Sequence, residues 1–201
     1  MSQEYELILA SGSPRRRELL QNMGLDFSVH VTNTDESRYT NETPLEFVTR
    51  LAKDKAVAAQ NNLDLDNKNS AILAADTIVV QGQNVFGKPN GLDDAIEIWS
   101  ALSGQQHQVI TGVCLLLSEQ GVRGKISCIT SITDVEFCEI NEKQMRRYWS
   151  TGEPADKAGA YAIQGFASAW VKLINGSYSN VVGLPLREVN DLLESINKNW
   201  L

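Results

Sequence analysis

The chain has 201 residues, 42% of them hydrophobic and 21% charged, with a formal net charge of −7. That is enough apolar material for a buried core in a globular protein, and the acidic balance argues against broad binding to nucleic acid or anionic membrane. A small anionic partner therefore needs a local cationic pocket on an acidic body.

In chain order, Leu7 to Ala10 reads as a short buried strand. Ser13 and Pro14 then mark a helix start, as N-cap and first helical residue, and Gly24 is placed to stop that helix. Asp26 to Val31 is predicted as a second strand. Thr43-Pro44-Leu45-Glu46 opens a long helix to about Asn61, with Phe47, Val48, Leu51, Ala52, Lys55 and Ala56 at helical spacing. Asn61 to Ser70 is polar and reads as a surface loop.

Ala71 to Val80 is the strongest buried-strand candidate, with Val85 and Phe86 pairing back across a turn at Gln81 to Asn84. Leu92 to Leu102 has the pattern of an amphipathic helix. Two β-rich runs, Gln108 to Leu117 and Ile126 to Phe137, flank a turn at Glu119 to Gly121. A helix over Asn141 to Ser150, a strand over Trp170 to Ile174 and a helix over Leu186 to Asn197 complete the chain. Strands and helices alternate early and strands pair with neighbours later, so the expected class is α/β with a mixed sheet and flanking helices. Residues 1–201 read as a single domain without repeats or linkers.

Cys114, Cys128 and Cys138 are odd in number and lack a CxxC pair, which predicts buried thiols in a reducing cytosol rather than a disulfide framework. Only His30 and His107 accompany them, so no structural zinc site is expected. The N-terminus lacks a basic leader region, and no apolar run is long enough for a bilayer. A cytoplasmic protein is the expectation.

Three segments carry candidate chemistry. Arg15, Arg16 and Arg17 occupy a first helical turn that electrostatics reserves for acids. Either an anion such as phosphate sits there, or the three are solvated surface residues. Asp76 is the only charge in Ala71 to Val80. A carboxylate in such a strand is paired, hydrogen-bonded or metal-bound, in a structural or a functional role. Lys55, near the apolar side of its helix, and Lys88, in Gly87-Lys88-Pro89, are snorkelling or solvated lysines, or they neutralise a polyphosphate. Gly152 to Gly165 is dense in glycine and small residues, as a tight backbone around a ligand requires. Within it Gln164 is an ordinary loop amide or reads a nucleobase edge by donating and accepting at once.

Ser11-Gly12-Ser13-Pro14-Arg15-Arg16, the Lys55 helix, Ala75-Asp76-Thr77, Gly87-Lys88-Pro89, Asp156-Lys157-Ala158-Gly159-Ala160-Tyr161, Ile163-Gln164-Gly165 and Asn175-Gly176-Ser177-Tyr178 together resemble the Maf family of nucleoside triphosphate pyrophosphatases. The segments keep family order across nearly the whole chain. The resemblance implies an inosine triphosphatase-like fold with two lobes around a cleft, commonly dimeric. It implies cleavage of a nucleoside triphosphate to the monophosphate and pyrophosphate with Mg²⁺ or Mn²⁺. Arg15, Thr77 and Gln164 match the pattern of the dTTP/UTP branch, and modified pyrimidine nucleotides are also possible substrates.

On this reading Asp76 is the proton acceptor or a metal holder, with Glu36, after Thr34-Asp35, as the second acidic metal ligand. Arg16, Lys55 and Lys88 cradle the triphosphate. Ser11, Ser13, Asp156 and Lys157 line the substrate, and Arg15, Thr77 and Gln164 select a pyrimidine with two ring carbonyls. The rival reading is a non-catalytic nucleotide-binding regulator of septum formation.

Overall fold

A computed structural model describes residues 5–63 and 68–196. Its seven-stranded mixed sheet runs in the order β2-β1-β3-β5-β6-β7, with β4 paired to β3. The strands are β1 (Glu6–Leu9), β2 (Ser28–Val29), β3 (Ser70–Gln81), β4 (Asn84–Phe86), β5 (Gln106–Glu119), β6 (Val122–Phe137) and β7 (Val171–Asn175). The helices are α1 (Pro14–Asn22), α2 (Pro44–Asn62), α3 (Leu92–Leu102), α4 (Glu142–Trp149), α5 (Tyr178–Val182) and α6 (Leu186–Glu194). β1 is parallel to both β2 and β3, whereas β4 and β7 run antiparallel to β3 and β6.

The chain divides into two compact units. The first comprises residues 1–76, 111–131 and 183–201, and the second residues 77–110 and 132–182. In the first unit, Leu7 and Leu9 of β1 pack with Leu20, Leu73, Leu115, Leu184 and Leu193. The opposite side chains of β1 and β3, Ile8, Ile72 and Ala74, together with Ala10 just after β1, pack with Ala56 and Ala59 of α2. β3 is thus covered on both faces, and its continuous apolar sequence follows from that. The core of the second unit is aromatic: Trp99, Phe137, Tyr148, Tyr161 and Trp170 meet mostly edge to face, the arrangement ring quadrupoles favour.

Local chemistry accounts for the helix starts. Ser13 caps α1 ahead of Pro14, and its hydroxyl accepts from the Arg16 N–H. Thr43 and Glu46 close a reciprocal capping box on α2, which satisfies two N–H groups otherwise left bare. Asn141 and Gln144 do the same for α4. α2 lies close against Gly112 of β5: a Cβ there would stand 2.7 Å from the Val48 carbonyl oxygen.

Three expectations change. The second strand shrinks to Ser28–Val29, because the chain then leaves the sheet as an irregular segment pinned from α2. Arg50 grips Glu42 at 2.6 and 2.9 Å, donates to the Ser37 carbonyl and stacks on Tyr39. The closing helix ends at Glu194, and Asn197, like part of the Asn61 to Ser70 loop, lies outside the described residues. The third correction concerns the thiols. Cys114 and Cys128 form a disulfide, their Cα atoms 4.1 Å apart, while Cys138 is free and exposed. The two residues face each other on consecutive strands, a register that spacing along the chain does not reveal. Alkylation of the denatured, unreduced protein should label Cys138 alone, and reduction should add two labels by intact mass. Three labels without reductant would contradict the pairing.

No helix of the described residues is long and apolar enough to cross a membrane.

Candidate active site

The turn after β1 folds back on itself through serine hydroxyls. Ser11 Oγ accepts from the Ser13 N–H at 3.2 Å and from Arg16 Nη1 at 3.3 Å. Arg16 also donates through Nε to the Gly183 carbonyl at 2.7 Å. The guanidinium is thereby aimed from two sides rather than left to swing in solvent. Burial lowers its pKa, an effect opposed by the Asp76 and Glu36 carboxylates and reinforced by Arg15. Arginine is basic enough to remain a cation through such a shift.

Lys55 extends from α2 to both carboxylates: Nζ lies 2.6 Å from Glu36 Oε1 and 2.6 Å from Asp76 Oδ1. The Lys55 and Asp76 side chains are only 13% and 12% exposed, whereas Glu36 is 51% exposed. One ammonium between two carboxylates offsets their mutual repulsion and satisfies a charge that β3 brings into the protein. Glu36 owes its place to local geometry as well. Asp35 Oδ1 accepts from the Ser37 N–H at 2.9 Å, turning the chain, and Arg50 holds the carbonyl of Ser37. The first unit therefore gathers Ser11, Ser13, Arg16, Glu36, Lys55 and Asp76.

Thr77 follows Asp76 on β3, so strand alternation sends its side chain to the opposite face. In the second unit Lys88 is exposed, and the Gly87 carbonyl before it accepts from the Gly159 N–H at 3.0 Å. That bond ties the lysine turn to the Asp156–Tyr161 segment. Gly159 is required there: its φ is +67°, and a Cβ would stand 2.7 Å from Val79. Lys157 turns back on its own segment, donating to the Glu153 carbonyl at 2.6 Å and pairing with Asp156 at 2.5 Å. Gln164 is exposed.

The residues that shape this loop were not visible as a group in the sequence. Trp99 Nε1 donates to the Ala160 carbonyl at 2.9 Å, Tyr148 accepts from the Ala162 N–H at 3.0 Å, and His107 Nε2 bonds the Tyr161 hydroxyl at 2.9 Å. Trp99 reads as ordinary helix core, whereas His107 lies among glutamines and Tyr148 follows two arginines, so nothing in their spacing groups them. The Asn175–Tyr178 turn is structural. Thr133 Oγ1 accepts from the Ser177 N–H at 3.0 Å and from Asn180 Nδ2 at 2.9 Å, and a Cβ on Gly176 would press on Thr133.

His107 gives a pH-dependent prediction. Burial pulls its pKa down to about 4, against about 6.5 for an unperturbed imidazole. The folded state thus binds the proton less well than the unfolded state, and stability is lost as pH falls from about 6.5 towards 4. The contribution at stake is on the order of 3 kcal/mol. Thermal midpoints should decline from pH 7 to pH 5, and His107→Gln, which keeps a neutral partner for Tyr161, should flatten that decline. An unchanged slope in the variant would assign the effect elsewhere.

Among the described residues no three His, Cys, Asp or Glu side chains cluster as a self-sufficient metal cage. Glu36 and Asp76 do supply the one or two carboxylate oxygens that Mg²⁺ uses when phosphates and water complete its shell, so the donor set fits such an ion.

In this mixed-sheet α/β protein an arginine aimed from a helix N-terminus stands in the same unit as a lysine-bridged carboxylate pair, and cations fixed in this way suit phosphorylated anions. The chain belongs to the Maf family: the model for "Maf-like protein" matches residues 6–196. Relatives named dTTP/UTP pyrophosphatase include those of Colwellia psychrerythraea, 48% identical over 96% of this chain and 89% of its own, and Hahella chejuensis, 44% identical over 96% of this chain and 94% of its own. The Vibrio cholerae relative of that name is 45% identical, with 94% of this chain and 96% of its own covered. The Staphylococcus aureus Ham1 protein shares the fold at a TM-score of 0.50 and 11% identity, covering 94% of this chain and 98% of that one.

Proposed function

We propose that this chain is a nucleoside triphosphate pyrophosphatase that hydrolyses dTTP and UTP to the monophosphate and pyrophosphate. The supporting observation is the identity of 44–48% with dTTP/UTP pyrophosphatases across nearly the whole chain, in a protein whose Asp76 is held ready beside Lys55.

Water adds to the α-phosphorus, the bond from that phosphorus to the bridging oxygen breaks, and pyrophosphate leaves. Asp76, a carboxylate in a largely enclosed strand, takes the proton of the attacking water. Arg16 and Lys55 hold phosphate oxygens and oppose the charge that builds on the leaving group. Lys88 is assigned to the triphosphate as well. Ser11 and Ser13 offer hydroxyls from the turn that aims Arg16, and Asp156 and Lys157 are assigned to the substrate through their loop. Arg15, Thr77 and Gln164 are assigned to the base, where an amide can answer both the N3–H donor and a carbonyl acceptor of uracil or thymine. Glu36 and Asp76 would hold Mg²⁺ or Mn²⁺, which when bound neutralises phosphoryl charge.

Incubation with UTP, dTTP, CTP, GTP and ATP in the presence of Mg²⁺ tests the reading. Pyrophosphate and monophosphate should appear from UTP and dTTP foremost. UTP binding with no pyrophosphate release would instead make the protein a nucleotide-binding regulator. Modified pyrimidine nucleotides belong in the same panel.

The family resemblance extends the proposal to a cytoplasmic homodimer. Light scattering at low micromolar concentration tests the dimer. Thiol trapping in intact cells tests the compartment: Cys114 and Cys128 trapped as the disulfide seen in the structure would count against a reducing cytosol, where such pairs are rare.

A further inference from the structure

Gln164 stands in the middle of a short turn, Ala162 to Phe166, outside any strand or α-helix. An exposed glutamine on such a turn discriminates poorly by itself. Its amide both donates and accepts, so a side chain free to swing or flip satisfies cytosine, with an N4 donor and N3 acceptor, as readily as uracil. Selectivity needs the backbone beneath it to be held.

The structure holds it with two side chains. Tyr148, at the end of α4, accepts the Ala162 N–H at 3.0 Å and donates its hydroxyl proton to Glu153 Oε1 at 2.5 Å. The other carboxylate oxygen, Glu153 Oε2, accepts the Phe166 N–H at 3.4 Å. One phenol and one carboxylate thus grip both ends of the five-residue turn. Gly165 lets the turn close over them: a Cβ there would fall 2.1 to 2.4 Å from the Glu153 carboxylate atoms. Lys157 donates to the Glu153 carbonyl, and Tyr148 is only 4% exposed among Trp99 and Trp170. The grip is therefore anchored in the core of its own unit rather than in solvent.

We propose that Glu153 and Tyr148 are positioning residues for base selection, acting through the Gln164 turn. The inference rests on the assignment of Gln164 to the nucleobase. Both residues bond the backbone on either side of Gln164, so their effect is expected in recognition of the base and not in bond cleavage. Glu153→Gln is the informative change. It preserves shape but sets an amide NH₂, a donor, against either the Phe166 N–H or the Tyr148 hydroxyl.

The test measures kcat and KM for UTP and CTP in the parent chain, Glu153→Gln, Tyr148→Phe and Gln164→Ala, with thermal midpoints alongside. Glu153→Gln should lower the UTP-to-CTP ratio of kcat/KM about tenfold, through a raised KM for UTP with kcat changed less than threefold. Tyr148→Phe should move the ratio in the same direction. Glu153→Asp, which restores a pure acceptor, should recover part of the selectivity. A selective parent whose ratio collapses in Gln164→Ala but stays within twofold in Glu153→Gln and Tyr148→Phe would overturn the clamp while leaving the Gln164 assignment standing. A parent that does not favour UTP over CTP, or a Gln164→Ala chain that keeps its preference, would remove the assignment and the clamp with it. Equal losses of kcat on both nucleotides, tracking a fall in thermal midpoint, would reduce the pair to a structural role and also overturn the proposal.

Discussion

Asp76→Asn should lower turnover of UTP and dTTP on the order of 10³-fold while nucleotide binding stays within a few-fold of the parent. The asparagine keeps the shape of the side chain and still offers an oxygen to Lys55, which stands 2.6 Å away. What disappears is the negative charge and the capacity to take a proton, and general-base catalysis accounts for roughly 10²–10⁴ in rate. Folding should be little affected, because Lys55 retains its ion pair with Glu36. Pyrophosphate release under saturating nucleotide, compared with UTP titration calorimetry, reads the two effects separately. A variant turning over at close to the parental rate would remove Asp76 from the role of base.

Lys55→Met carries the second large expectation, and here both stability and activity should suffer. Methionine fits the helix and fills a similar volume, but it leaves Glu36 and Asp76 without the ammonium between them. Asp76 is 12% exposed, so water compensates it only in part. Removing one partner of a fully buried pair costs about 3–5 kcal/mol. Arg16 still faces Asp76 and Glu36, and Glu36 is half in solvent, so about 2–3 kcal/mol is expected by urea unfolding. The residual activity should be at least 100-fold down, through loss of a phosphate-binding cation. If Lys55→Met alone unfolds at the parental urea midpoint, the bridging ammonium does not stabilise the pair.

Much of this arrangement could be read from the chain because it is local. Ser13-Pro14 and Thr43-Pro44-Leu45-Glu46 announce α1 and α2 by capping chemistry alone, and the observed caps use those residues. Asp76 could be singled out because a lone charge in an apolar strand contradicts its neighbourhood. Lys55 followed from its place on the helix face, and the structure brings it together with Asp76 and Glu36. What stayed hidden depends on register and on side chains meeting across loops. The Cys114–Cys128 pairing is set by how β5 and β6 align. Arg50 looks like any helical arginine until the irregular chain before α2 wraps around it. Tyr148 and Glu153 are five residues apart and each has a bland explanation; their common purpose emerges only once the turn at Gln164 closes over them.

Gly112 carries a consequence for how tolerance to change is distributed along the chain. The α2 backbone rests directly on it, and two turns further along the same helix lies Lys55. In a saturation scan scored by turnover, position 112 should therefore behave like an active-site position, rejecting even alanine, although what crowds it is helix backbone. A lineage drifting at this site would have to reshape the helix around Val48 first, so the order in which substitutions arrive matters as much as their identity.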